Sequence, residues 1–193
     1  MIDIDVLRMS CVGIAGLGGM GSNTAVMLAR SNVGKLVIAD FDRVDETNIA
    51  RQAYLLRHIG MPKCEALAGI LRGIVPHIEL DVRDVRLDPT NIRDVFAGCD
   101  IVCEAMDDPG QKAMFTETVL EALPDVKVVG CSGMAGYGPS NDIVTRRAMN
   151  RYYVCGDGVS DVRDGMPLNA ARVSVCAGHM ASAVLRLLLG EEP

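Results

Sequence analysis

The sequence predicts an α/β fold: a Rossmann-like, mostly parallel sheet with helices on both faces and a small antiparallel extension near the C-terminus. Three observations carry this reading. Short apolar runs alternate with stretches of helical periodicity from Cys11 to Gly130. The connections between them are short, as in a parallel sheet covered by helices. The first apolar run ends in a glycine-rich turn that opens a helix. The 193 residues read as one domain, 1–193, with no internal repeat, low-complexity tract or linker.

Each element has its own signal. Cys11 to Ala15 is a short apolar strand ending in glycines, and Ser22 to Arg30 carries Ala25, Leu28 and Ala29 at helical spacing. Lys35 to Ala39 is a second strand. Pro62 suits a helix's first turn, and Leu67, Ile70, Leu71 and Ile74 continue that helix to Val75. Ile78 to Val85 alternates as a third strand. A short helix, Asn91 to Phe96, leads to a fourth strand, Asp100 to Ala105. The helix Gln111 to Leu123 leads to a fifth, Val126 to Gly130. The rhythm then changes: Ile143 to Arg147 and Tyr152 to Cys155 are strand candidates with no helix between them, hence the antiparallel extension. Ala170 to Leu189 reads as a long apolar helix.

Composition narrows the function. Hydrophobic residues make up 49% and charged residues 23%, enough for a core under an ordinary polar surface. The net charge is -6, from 19 basic and 25 acidic residues, with no basic stripe for a phosphate backbone. Trp is absent, and three Phe and four Tyr make no platform for stacked bases, so no nucleic-acid partner is expected. No apolar run approaches a membrane span, and Arg186 interrupts the longest. The acidic N-terminus lacks a signal-peptide pattern. Seven scattered cysteines form no CxxC, so structural zinc is not expected and a reduced, cytoplasmic protein is.

The first strand runs into Gly16-Leu17-Gly18-Gly19-Met20-Gly21-Ser22. Such a loop lets the backbone turn sharply and approach a phosphate, while the following helix adds amide donors and partial positive charge. Asp40, 24 residues after Gly16, ends the second strand where an acid can bond a ribose diol. These features fit NAD and ATP alike. The next block is more discriminating: Asp40-Phe41-Asp42-Arg43-Val44-Asp45-Glu46-Thr47-Asn48-Ile49-Ala50-Arg51-Gln52, then Ile59-Gly60-Met61-Pro62-Lys63. A dehydrogenase has no evident need for Asn48, Arg51 and Lys63 beside the ribose acid, whereas an enzyme acting at ATP phosphates needs such charges.

The order GxGGxGS, DxDxV, NxxRQ, IGxxK resembles the ThiF/MoeB/HesA family, bacterial relatives of the ubiquitin-activating enzymes. The likeness runs from about Val12 to Pro76 and continues through Cys103-Glu104-Ala105-Met106-Asp107-Asp108 and the C-terminal helix. It implies binding of ATP and Mg2+. It also implies adenylation of the C-terminal glycine of a ubiquitin-like sulfur carrier, a ThiS-like protein on the thiamine side of the family, within a homodimer. Carried over by position, Gly16, Gly18, Gly19 and Gly21 line the phosphates, and Asp40 takes the ribose. Asn48 and Arg51 contact phosphates with Gln52 close by, Lys63 balances phosphate charge, and Asp107 matches the magnesium-binding aspartate. Arg51, Lys63 and Asp107 are the catalytic set. Asp42 and Asp108 read either as site or as structural residues.

Three departures stand out. The family's N-terminal helical segment, which can lend an arginine to the partner subunit, is represented only by the residues before Cys11, where Arg8 is too close to the strand to take that role. The paired CxxC motifs of longer members are missing. Cys155 reads either as a strand-end cysteine or as a thiol handling sulfur beside a flexible polar loop, Gly156 to Gly165, and Cys176 reads as core. His58, His77 and His179 read as structural. Two other functions compete with adenylation: an NAD-dependent oxidoreductase, for which no catalytic acid or base stands out, and a non-catalytic nucleotide-binding module of the same fold. The loops after Ala105 and Gly130, including Ser132 to Gly136, are the expected lining of a groove for the carrier's tail.

Overall fold

A computed structural model describes residues 4–193. Its centre is a seven-stranded sheet of order β3-β2-β1-β4-β5-β7-β6. The strands are β1 (Cys11–Ala15), β2 (Lys35–Asp40), β3 (Glu79–Asp84), β4 (Ile101–Glu104), β5 (Lys127–Cys131), β6 (Val144–Met149) and β7 (Tyr152–Gly156). All neighbours pair in parallel except β6 and β7. The expected antiparallel extension is thus β6 alone. The β6–β7 hairpin returns the chain in the parallel direction, and β7 joins β5 with Val128 opposite Tyr152.

The inner strands are apolar on both sides, as a covered parallel sheet requires, while the edge strands β3 and β6 carry exposed polar residues. Val12, Ile14, Leu36, Ile38, Ile101, Cys103 and Val129 enter one core. Ala15, Val37, Ala39, Val102 and Val128 enter the other. This period of two divides the helices. Helices α2 (Gly19–Arg30), α3 (Lys63–Ile74) and α6 (Ala170–Leu188) supply Leu28, Leu67, Leu71, Met180 and Val184 to the first core. Helices α4 (Ile92–Phe96) and α5 (Pro109–Ala122) supply Phe96, Phe115 and Val119 to the second. There the rings of Phe96 and Phe115 meet edge to face, 5.5 Å between centroids.

Two elements differ from the sequence reading. Of the described residues before Cys11, six form a short helix, α1 (Ile4–Met9). Six residues are too few to be stable alone. This turn is held by tertiary contacts, with Leu7 buried and its carbonyl accepting from Gly34 N at 3.0 Å. Helix α2 begins at Gly19, three residues before the expected Ser22. Glycine's poor intrinsic helicity hides a first turn that the loop geometry imposes.

The segment after β7 was expected to be a flexible polar loop, yet its first turn is pinned. Arg172 on α6 and Asp157 form an ion pair whose side chains are 5% and 7% exposed. Arg172 also donates to the carbonyls of Gly138 (2.6 Å) and Pro139 (2.9 Å), fastening the chain between β5 and β6. Burial alone would raise the Asp157 carboxyl, but the amides of Ser160 and Val159, the Ser160 hydroxyl and Arg172 outweigh it, holding it at about 2 against an ordinary 3.8. A depressed carboxylate stabilises the fold above its unfolded pKa, and that contribution is lost as pH falls toward the folded value. Acid titration of stability should therefore lose about 2 kcal/mol between pH 3.8 and about 2 from this residue. Asp157→Asn should be less stable at neutral pH and should remove that part of the pH dependence, as chemical denaturation across the window would measure.

Candidate nucleotide site

The sheet order places a topological switch point between β1 and β4, whose following chains leave in opposite directions. In open α/β sheets that crevice, beyond the strands' carboxyl ends, is where ligands bind. The glycine loop follows β1 and the Asp107 loop follows β4, and the two touch. Gly16 has φ of +87°, and a Cβ on it would lie 2.8 Å from the Ala105 carbonyl oxygen. A Cβ on Gly21 would lie 1.9 Å from the Gly16 carbonyl oxygen. These two glycines are therefore required by the fold itself. Gly18 differs: its φ is -74°, and a Cβ there would meet nothing nearer than Gln52 Nε2 at 3.9 Å. Its open face is where a ligand can approach the backbone.

Asp40 binds the loop from below. One carboxylate oxygen accepts from Leu17 N at 2.7 Å and the other from Asp42 N at 2.8 Å. A carboxylate offers about four acceptor directions, so two remain for ribose hydroxyls. Lys63, at the start of α3, lies 2.8 Å from Asp42 and 3.7 Å from Asp40. The Lys63 side chain is 9% exposed and that of Asp42 50%, so Asp42 is the solvent-side partner of a buried ammonium. That arrangement assigns Asp42 a charge-balancing role which its position in the motif leaves open.

The Asn48–Gln52 segment is docked onto α2 by residues the motif reading did not single out. Asn23 donates to the carbonyls of Gly19 (2.7 Å) and Arg51 (3.0 Å). Ser22 Oγ accepts from Ala53 N at 3.1 Å, and the buried Tyr54 hydroxyl donates to the Leu17 carbonyl at 2.8 Å. Polar residues in a glycine-led helix start are the one sequence trace of this docking. Asn48 closes a turn, its Oδ1 accepting from Asp45 N at 3.2 Å. The Arg51 guanidinium donates to the Thr47 carbonyl at 2.8 Å, and its stem lies beside Gly19. Gln52 Oε1 is buried with no hydrogen-bond partner among the described residues. An unsatisfied buried acceptor costs about 1–3 kcal/mol, and a donor on a bound ligand would relieve it.

On the β4 side, Asp107 is exposed and Asp108 caps α5, accepting from Gln111 N at 2.9 Å with Pro109 in the first turn. The structure thus divides the adjacent acids into a cap and a solvent-facing carboxylate. The loop is fixed from beneath by Glu104, which is 1% exposed and accepts from Met106 N at 2.8 Å. Burial pushes the Glu104 carboxyl up, and Lys112 opposes it with its ammonium 2.9 Å from both oxygens. Sequence reading missed this pair. Its signal was a lone acid ending the apolar run Ile101-Val102-Cys103.

Among the thiols, that of Cys131 lies 3.6 Å from the Lys112 ammonium beneath the Glu104 loop. Cys155 is fully buried on β7 and its thiol is pushed up to about 11, chiefly by burial, so it is a core strand-end cysteine. Cys176 is equally buried. His58 is buried and its Nδ1 accepts from Leu55 N at 3.1 Å, while His179 Nδ1 lies 3.2 Å from Thr145 Oγ1.

Three substitutions test this geometry. Gly18→Ala should fold with stability within about 1 kcal/mol of the parent yet lose nucleotide affinity, since the new methyl points into open space. Gly21→Ala should fail to fold or lose at least about 3 kcal/mol, because backbone blocks its Cβ. Lys112→Met should cost roughly 3–5 kcal/mol by leaving the Glu104 charge buried and unpaired. Denaturant titration with a nucleotide-binding isotherm separates the three.

The chain resembles known proteins in sequence and in fold. Residues 3–193 match the ThiF family. The adenylyltransferase and sulfurtransferase UBA4 of Candida glabrata is 32% identical over 133 residues, 68% of this chain and 30% of that protein. The SAMP-activating enzyme E1 of Haloferax volcanii is 36% identical over 102 residues, 52% of this chain and 38% of that protein. The chain therefore spans only about a third of the length of these curated relatives. Among solved structures, the Escherichia coli tRNA N6-threonylcarbamoyladenosine dehydratase TcdA in complex with ATP superposes with a TM-score of 0.87 at 20% identity. That match covers 97% of this chain and 88% of TcdA, and it shows the shared Rossmann-like fold. Family match, fold and glycine loop agree: the chain belongs to the ThiF family.

Proposed function

We propose that the chain binds ATP across the carboxyl ends of β1, β2 and β4. There it would transfer AMP to the C-terminal glycine carboxylate of a ubiquitin-like sulfur-carrier protein and release pyrophosphate. The observation that carries this reading is the convergence of an open Gly18 face, the orphaned Gln52 Oε1 and the Arg51 stem on one side of the glycine loop. A ligand rich in both acceptors and donors suits that surface.

In this reading Gly16, Gly18, Gly19 and Gly21 cradle phosphates at the start of α2, and Asp40 holds the ribose. Gln52 accepts from the nucleoside. Arg51 and Asn48 face the phosphates. Lys63 exchanges its bond to the exposed Asp42 for the phosphate chain. The carrier carboxylate is already ionised at neutral pH, so it attacks the α-phosphorus with no general base. The work left to the protein is positioning and charge neutralisation by Arg51 and Lys63. An exposed carboxylate beside phosphates fits magnesium, which Asp107 would hold and which would neutralise charge on the leaving pyrophosphate.

The carrier we favour is ThiS-like, on the path to the thiamine thiazole, with its tail lying between the loops after β4 and β5. A tRNA substrate, of the kind TcdA's name gives for that protein, fits poorly with a net charge of -6. We place the protein in the cytoplasm; Leu55, Leu56, Ile59 and Met61, exposed apolar residues just before Lys63, support the reading of a homodimer with its sites near the interface.

Exchange of labelled pyrophosphate into ATP, with magnesium and a ThiS-like carrier ending in Gly-Gly, tests the proposal. The expected outcome is carrier-dependent exchange that falls at least about 100-fold in Arg51→Ala and Asp107→Ala. ATP binding with no exchange across such carriers would overturn it in favour of a nucleotide-binding module.

A further inference from the structure

Five of the seven cysteines, Cys64, Cys103, Cys131, Cys155 and Cys176, are fully or almost fully buried in strands and helices. Cys11 and Cys99 are different. Their sulfurs lie 3.7 Å apart although the residues are 88 apart in sequence. Cys11 opens β1 and is part-exposed, whereas Cys99 precedes β4 and is 6% exposed. The backbones are joined there: Asp100 N donates to the Cys11 carbonyl at 2.8 Å, and Cys11 N donates to Asp100 Oδ2 at 2.8 Å. Asp100 stands opposite Cys11 and Cys99 is one residue further along, so the two cysteine backbones are diagonal neighbours roughly 6 Å apart, within the separation a disulfide spans. A small side-chain rotation would bring the sulfurs to bonding distance.

The surroundings give the two thiols unequal characters. The Cys99 thiol bonds to Cys11 and favours its thiolate; burial opposes this, and the ammonium of Lys35 adds to it. Asp100 and Glu79 act the other way, and Glu79 is itself ion-paired with Lys35. Cys99 is pushed up by its bond to Cys11 and by burial. A part-exposed thiol whose ionisation is favoured, 3.7 Å from a buried thiol whose ionisation is opposed, is the arrangement of an attacking and a resolving cysteine. Cys11 is part-exposed and meets solvent directly, while a cavity of about 350 Å³ at the amino ends of the strands, lined by Val6, Ser10, Cys99, Asp100, Lys127 and Leu187 among others, reaches the Cys99 side of the pair.

We propose that Cys11 and Cys99 form a peroxide-reactive dithiol, oxidised to a disulfide that ties β1 to β4 at the end of the sheet opposite the nucleotide crevice. The Cys11 thiolate attacks one oxygen of hydrogen peroxide, breaking the O–O bond. The product is a Cys11 sulfenic acid and hydroxide, which takes up a proton to become water. The Cys99 sulfur then attacks the sulfenic sulfur. The S–S bond forms, the S–O bond breaks, and the Cys99 proton leaves with the hydroxyl as a second water. Both thiols are oxidised and one peroxide is reduced. The reaction requires no nucleotide, so its test is independent of the adenylation reading.

The 193-residue protein treated with hydrogen peroxide near stoichiometry should lose the mass of two hydrogen atoms, regained with dithiothreitol. Non-reducing peptide mapping should find Cys11 joined to Cys99, with the other five cysteines still alkylatable. Cys99→Ser should stop at a Cys11 sulfenic acid that dimedone traps, and Cys11→Ser should give neither product. Oxidation spread over several cysteines, a bridge between other positions, or no linked peptide in the wild type would overturn the proposal. The wild-type map needs no variant, so misfolding of either substitution leaves the test intact.

Discussion

The site depends on one buried carboxylate. Asp40 is 8% exposed at the end of β2, and it ties three segments that are distant in sequence. It accepts from Leu17 N in the glycine loop and from Asp42 N in its own turn, and it faces the Lys63 ammonium of α3. An ionised group in such a place is costly unless its bonds are made. Here two backbone amides supply those bonds, and the Lys63 ammonium, which Asp40 shares with Asp42, supplies positive charge. The glycine loop cannot relax away from β2 without breaking a charge-assisted bond, so the crevice is formed before a ligand arrives.

A second buried acid repeats the device across the switch point. Glu104 ends β4 as Asp40 ends β2, and it too accepts a backbone amide two residues on, from Met106. Lys112 stands to Glu104 as Lys63 stands to Asp40, each ammonium rising from the first turns of the helix that follows. The two carboxylates thus set the shapes of the loops that meet over Gly16, where there is no room for a side chain. The third buried pair, Arg172 with Asp157, does the same for the chain beyond β5. All three pairs fix loops or turns that follow strands, which leaves the exposed groups Asp107 and Asp42 on a rigid frame.

Different parts of this were legible in the chain for different reasons. Strand residues such as Val12, Ile14, Leu36 and Ile38 are recognisable because an element buried on both faces needs a continuous apolar run. The glycine loop is recognisable because Gly16 and Gly21 answer local steric demands that no other residue meets. Arg51 and Lys63 stand out because the motif spacing places unusual charges beside the ribose acid. Helix α1 was invisible because its stability comes from Gly34 and the core rather than from its own six residues.

The alternation of strands and helices, the parallel sheet and the glycine loop with its acid can be read along the chain, because each rests on local periodicity or on steric demands within a few residues. Which of the neighbouring acids Asp107 and Asp108 caps a helix is settled in the folded chain. The tertiary structure alone showed that Lys63 leans on Asp42, that Glu104 meets Lys112, that Cys155 is sealed in the core and that Cys11 faces Cys99. These are pairings and burials set by strand order. Two residues 88 positions apart become neighbours only because β1 lies beside β4, and nothing in the spacing of either residue records that choice.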